Sequence, residues 1–433
     1  MSASPTEGVG KRLNPRIRKL VVWLHRWVGL AMAVFLVIEG LTGAMLAFRG
    51  PLTRVFDPAL FAAPPSPGAP PLDLATLIER AERLEPRARF QWFLPLDVDG
   101  VALVGMVPRD THGPRLPGFD ADFGYLALDP WTGTLIRRVS GGLYSHGVLA
   151  NVMPFVYDLH KTLAVGEAGA WVLALVALLW TLDCFGGLYL TLPLAMARFW
   201  QRWKPAWAIK WRARWPRVNH DLHQASSLWL WAVLLIFAWS SVALVDKFSV
   251  YEHVMGGLLG PSSYDEARPA PVKAKGPPTL DWHAALARGG QLAAEIAARE
   301  HFALRESNSL WYLAENREYM IRFRTDRLFP TDRDLIFNFD ADSGALRERH
   351  GSNSGTPSDV ALAWLVSFHM ITDPFEYTAF RAAIVVVGLL LAAISITGVI
   401  VWWHKHRART RARLHRTQLA RPDAADASLK ALP

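Results

Sequence analysis

Trp23-Leu24-His25-Arg26-Trp27-Val28-Gly29-Leu30 opens an apolar run that continues to about Phe48. A helix of that length crosses a hydrocarbon core of about 30 Å. It also sets an ionisable imidazole at the mouth of the bilayer, where a ligand, a proton or a hydrogen-bond acceptor must offset its desolvation. Three further runs, at 168–195, 222–248 and 378–403, are long enough to span. With 20–48 they predict four transmembrane helices, because backbone in lipid must be helical or closed into a barrel.

The composition agrees. The chain has 433 residues, 51% of them hydrophobic, with 19 Trp and a net charge of +9. Those totals exclude a disordered chain and an ordinary water-soluble protein, and they fit a membrane protein with sizeable parts outside the lipid. The one cysteine, Cys184, lies in an apolar run. It can form no intrachain disulfide, and the CxxC patterns of zinc, iron-sulfur and covalently attached haem are missing. A bound metal would therefore rely on His, carboxylate or Met.

Orientation follows from Lys and Arg. Lys11, Arg12, Arg16, Arg18 and Lys19 precede the first run, Arg198 to Arg217 form a basic loop, and Lys405 to Arg416 follow the last run. The positive-inside rule puts the tail 1–19, the loop 196–221 and the tail 404–433 in the cytoplasm, so 49–167 and 249–377 face outward. The first run is longer than a signal-peptide core and is expected to stay as a span. In the basic loop Trp200, Trp203, Trp207, Trp211 and Trp215 recur at steps of 3 and 4, the spacing of an interfacial anchor that Pro205 must interrupt. Its basic surface suits anionic lipid or an acidic partner, and no nucleic acid is expected.

Each outward segment begins Pro-rich and then repeats one order of elements. The first predicts a helix at 73–85, strands at 90–94 and 101–107, and a strand-turn-strand at 125–135 with Gly133 in the turn. The second predicts a helix at 281–300, strands at 310–314 and 318–324, and a strand-turn-strand at 335–346 around Gly344. Both are small α+β modules.

Landmarks recur across the halves. Leu24-His25 matches Leu222-His223, Asp129-x-x-Thr-Gly133 matches Asp340-x-x-Ser-Gly344, and His160 before the second span matches His369 before the fourth. From turn glycine to following histidine is 160 − 133 = 27 residues in one half and 369 − 344 = 25 in the other. Both halves start in the cytoplasm and cross twice, which makes them parallel repeats about an axis along the membrane normal. That symmetry pairs His25 with His223 on the inner side and His160 with His369 on the outer side.

Two histidine pairs in a four-helix bundle suit two bis-histidine b-type haems, with the iron held through His25, His223, His160 and His369. Gly29, Gly40, Gly43, Gly186, Gly187, Gly388 and Gly398 would leave room for a macrocycle. His220, one turn before His223, is the reserve ligand or its hydrogen-bonding neighbour. His146 is the reserve on the outer side, near that pair or an incoming substrate. Glu39 and Asp183 lie inside spans, where they bind a proton, a ligand imidazole or a neighbouring hydroxyl; Asp246 falls just past the outer boundary. His404, His406 and His415 belong to the basic tail.

Leu-His-Arg-Trp-x-Gly at 24–29, Asn219-His220-Asp221-Leu222-His223, the Asp-x-x-Thr/Ser-Gly turns and Thr397-Gly398-Val399-Ile400-Val401-Trp402-Trp403 resemble the PepSY-associated transmembrane family of bacterial inner-membrane proteins, over about 18–407. The resemblance implies two periplasmic PepSY-like modules on four spans, and a haem-containing reductase that passes electrons to ferric iron in a periplasmic siderophore complex. It implies haem ligation by His25, His223, His160 and His369. The chain departs from the family pattern at Gln224-Ala225-Ser226-Ser227, where a basic residue and a glycine are more usual.

No GxGxxG sits between a strand and a helix, so the electron donor is expected to be a membrane quinol or a separate cytoplasmic reductase. Two competing functions use the same sequence: a haem-free membrane sensor or peptidase regulator acting through its outer modules, and a metal or haem uptake accessory. Histidines paired at two depths favour electron transfer, because a regulator has no need of them.

Overall fold

The computed structural model describes residues 14–94, 100–108, 125–139, 148–245, 247–261, 276–314, 316–327, 334–350, 356–371 and 377–419. In chain order its helices are α1 (Pro15–Leu46), α2 (Arg49–Phe56), α3 (Leu74–Leu84), α4 (Val152–Thr162), α5 (Glu167–Thr191), α6 (Phe199–Trp203), α7 (Trp215–Val245), α8 (Val250–Leu259), α9 (Trp282–Glu300), α10 (Pro357–Met370) and α11 (Thr378–Leu419). Strands β1 (Ala88–Leu94), β2 (Ala102–Pro108), β3 (Tyr125–Leu128) and β4 (Leu135–Val139) follow α3. Strands β5 (Leu304–Leu313), β6 (Glu318–Thr325), β7 (Asp334–Asp340) and β8 (Leu346–His350) follow α9.

Among the described residues four helices, α1, α5, α7 and α11, are long and apolar enough to cross a membrane. Val34, Leu41, Leu175, Leu182, Leu389 and Ile396 stand exposed on them. Apolar side chains in such number on the outer faces of long helices require lipid around them, so the protein is a membrane protein. The chain divides into two compact units: residues 1–41, 175–238 and 387–433 form one, and 42–174 with 239–386 form the other.

In the first unit the helices pack through Met32, Leu36, Val176, Leu234 and Leu391, with Val28, Leu179 and Ile394 against them. Gly40 permits a closer approach, because a Cβ there would stand 2.5 Å from the carbonyl oxygen of Gly388. Small residues at crossings let helix backbones touch where lipid offers no hydrophobic drive. Helix α1 starts on Asn14 and Pro15, with the Asn14 side chain accepting from Arg16 N–H at 2.9 Å. The Arg18 guanidinium donates to the Leu190 and Leu192 carbonyls and so closes the end of α5. At Pro205 the short helix α6 gives way to a 3-10 turn, Lys204–Trp207. Trp203 and Trp207 meet edge-on at 5.2 Å, as do Trp207 and Trp229 of α7.

The second unit holds two antiparallel sheets, ordered β1-β2-β3-β4 and β5-β6-β7-β8. Residues alternate in and out as the strand period demands: Tyr319, Ile321 and Phe323 of β6 and Leu335, Phe337 and Phe339 of β7 are buried in one core with Phe90, Val104 and Leu128 of the first sheet. Helices α3 and α9 cover that core, each capped by an aspartate, Asp73 to Thr76 N–H and Asp281 to Ala284 N–H. The two Asp-x-x-Thr/Ser-Gly turns are built alike. Asp129 accepts from Trp131 and Thr132 N–H, and Asp340 from Asp342 and Ser343 N–H. Gly133 and Gly344 take φ +68° and +69°, a region costly for other residues. The side chains of Arg80 and Arg288 lie against these two glycines.

Candidate functional site

His25 stands eleven residues into α1 and His223 nine into α7 (25 − 14 and 223 − 214). Their rings face each other, with centroids 6.2 Å apart and planes inclined at 46°. His25 Nδ1 lies 2.9 and 3.0 Å from the two carboxylate oxygens of Asp183 on α5. His223 Nδ1 lies 3.0 Å from the Ile394 carbonyl oxygen on α11, with Thr397 Oγ1 at 3.5 Å. A carbonyl oxygen can only accept, so the proton of His223 sits on Nδ1 and leaves the Nε2 lone pair free. Two glycines open the space beside these rings. A Cβ on Gly398 would stand 3.0 Å from His223 Cε1, and one on Gly187 would stand 3.7 Å from His25 Cε1.

His160 lies in the last turn of α4 and His369 in the last turn of α10. These rings also face each other, at 6.3 Å and 55°. Their Nδ1 atoms are held by hydroxyls: His160 by Thr42 Oγ1 at 2.9 Å, His369 by Ser240 Oγ at 2.8 Å. A Cβ on Gly43 would stand 3.2 Å from His160 Cε1. Both rings are half-buried by area, yet enough protein surrounds them for desolvation to push His160 down to about 4. Desolvation, with His160 beside it, pushes His369 down to about 3. Both imidazoles are neutral at pH 7, the state in which they can ligate a metal. The two helices end at Leu163 and Ile371 in left-handed backbone, at φ 53° and 55°. For β-branched Ile371 that conformation costs about 1–2 kcal/mol, which the packing around α10 must outweigh.

The donor set suits haem iron. An ion with imidazole nitrogens about 2 Å away on opposite sides sets the ring centroids roughly 6 Å apart, which is the spacing of both pairs. Among the described residues no group of three or more His, Cys, Asp or Glu gathers around a point. Two facing imidazoles with a glycine beside them match a metal whose remaining ligands come in a planar macrocycle. His25 with His223 and His160 with His369 are the residues that would hold it.

The other sequence candidates separate from these pairs. His220 points its Nδ1 to within 3.7 Å of Asp221, with 41% of its side chain exposed. Asp183 is the partner of His25, and Glu39 lies within α1. His406 stacks on Trp402 at 5.3 Å. His146 and Asp246 lie outside the described residues. The hydroxyls of Thr42 and Ser240 were not singled out from sequence, although a signal exists: 42 − 25 and 240 − 223 both equal 17.

A comparison with curated proteins finds no match to the chain. The family model described as "PepSY-associated TM region" matches residues 22–405, a range that includes His25, His160, His223 and His369, and the chain belongs to that family.

Proposed function

We propose that the protein is a di-haem transmembrane electron-transfer protein of the bacterial inner membrane, reducing ferric iron, in siderophore complexes, on the periplasmic side. The observation that carries this reading is the pair of facing-imidazole sites, with ring centroids 6.2 and 6.3 Å apart and both Nδ1 atoms hydrogen-bonded. Haem b, when bound, supplies one-electron redox chemistry without a proton carrier. The protein's residues do the rest. His25, His223, His160 and His369 would hold the iron, their Nδ1 partners would fix ring orientation and tautomer, and Gly43, Gly187 and Gly398 would keep the space beside the rings open.

A build from two parallel repeats supports the same reading. His25 and His223 occupy matching places in α1 and α7, and the hydroxyls of Thr42 and Ser240 follow each by 17 residues. Asp183 and Gly187 on α5 correspond to Ile394 and Gly398 on α11, both pairs being four residues apart (187 − 183 and 398 − 394). The basic segments support a cytoplasmic side for both termini by the positive-inside rule. Electrons would enter there, from a membrane quinol or a cytoplasmic reductase.

The test is the visible spectrum of the detergent-purified protein, oxidised and dithionite-reduced, with a pyridine haemochrome assay. Sharp low-spin b-type bands at about two haems per chain are expected, followed by reoxidation on adding a ferric siderophore. A colourless protein from haem-replete cells would overturn the reading in favour of a haem-free sensor or regulator.

A further inference from the structure

The two histidine pairs differ in one chemical respect. Of the four Nδ1 contacts, that of His25 goes to a carboxylate, Asp183, at 2.9 and 3.0 Å. The contact of His223 goes to a neutral carbonyl, and those of His160 and His369 go to neutral hydroxyls. The carboxylate of Asp183 is itself mostly enclosed, with 16% of its side chain exposed. Its charge is therefore only weakly screened by water.

Resting on the di-haem reading above, we propose that Asp183 makes the His25–His223 site the more reducing of the two, so that electrons pass downhill from it to the His160–His369 site. Ferric iron carries one more positive charge than ferrous iron. A negative charge one imidazole ring away stabilises the ferric state and lowers the reduction potential. A carboxylate that draws on the Nδ1 proton also raises the basicity of the ligating nitrogen, which acts in the same direction. Neutral acceptors at the other site provide the second effect weakly and the first not at all. Asp183 is on this account a positioning residue that also sets direction. By repeat position its counterpart is Ile394, which offers a backbone carbonyl and no charge. The asymmetry therefore distinguishes the two halves of a chain that are otherwise built alike.

The experiment is a spectroelectrochemical titration of the purified full-length protein. Single-site variants His160→Ala and His223→Ala assign each step to a pair. In the wild type, the step remaining in His160→Ala should lie at the lower potential. Asp183→Asn should move that step upward by at least a tenfold change in its equilibrium, about 59 mV for one electron, and leave the other step in place. Asp183→Glu should retain most of the wild-type value. Because Asp183→Asn removes a buried contact, the converse variant Thr42→Asp adds a carboxylate beside His160 and should lower the other step. A colourless wild type would overturn the di-haem reading and this inference with it. Two haems whose order is reversed would overturn the inference alone. So would two steps that neither Asp183→Asn nor Thr42→Asp moves.

Discussion

Gly398 packs so closely on His223 that a Cβ on the glycine would stand 3.0 Å from the imidazole Cε1. In a helix interior glycine costs about 1 kcal/mol relative to alanine, so its presence in α11 reflects the ring beside it. Gly398→Val should force the His223 ring out of register with His25 and destabilise the bundle by about 1–3 kcal/mol. The expected readout is loss of one haem in the pyridine haemochrome assay, together with a lower thermal midpoint. A variant with full haem content and an unchanged midpoint would show that the close approach has no functional weight.

Removing a ring should act on one pair at a time. His25→Ala or His223→Ala is expected to lower haem content from about two to about one per chain, and His160→Ala or His369→Ala to do the same. Combining one substitution from each pair should leave none. Four single variants with wild-type spectra would mean that these rings ligate nothing.

The hydroxyls of Thr42 and Ser240 hold Nδ1 of His160 and His369. Thr42→Val and Ser240→Ala keep approximate size and remove the partner, at about 1 kcal/mol of stability each. Loss of such a partner typically weakens metal affinity by about 10–100-fold. Haemin titration of the haem-depleted protein should show that loss at one site and leave the other unchanged.

The second module carries an acid-sensitive turn. Burial alone would raise the pKa of Asp340. The N–H and hydroxyl of Ser343, the Arg347 guanidinium and the Asp342 N–H outweigh burial and hold the carboxyl at about 2, against 3.8 when free. Arg317 and Thr279 hold Asp342 well below the usual carboxylate range. A folded-state pKa below the unfolded one stabilises the fold above about pH 4. That contribution is lost as pH falls from about 4 toward 2. Thermal midpoints measured across that window should drop steeply in the wild type. Asp340→Asn should lower the midpoint at neutral pH and flatten the acid dependence.

Much of the architecture was legible because it rests on short-range patterns. The first helix of each module and strands β1, β2, β3, β6 and β7 lie within a few residues of their expected places, as with 281–300 against Trp282–Glu300, because hydrophobic period, caps and turn glycines act over single elements; β5 begins at Leu304 against an expected 310, and β4 and β8 begin at Leu135 and Leu346, where the expected strand-turn-strand stretches end. Span ends were less legible. Helix α7 begins at Trp215, before the apolar run at 222, since polar residues continue a helix beyond the bilayer as readily as apolar ones. The Trp-rich loop gave its break at Pro205 but not the edge-on contact of Trp207 with Trp229, which depends on where α7 stands.

By itself the sequence determined four membrane helices, the helix-and-strand segments outside them and four candidate histidines, because apolar length and residue spacing need no knowledge of partners. Only the tertiary structure decided which rings meet and what holds each Nδ1. Asp183 lies 158 residues from His25, and Ile394 lies 171 from His223. A backbone carbonyl carries no residue signature, and a threonine or serine in a span reads the same whether it packs or orients a ring. These roles come from helices brought together by packing at small residues such as Gly40 and Gly388, an effect that acts between distant segments of the chain.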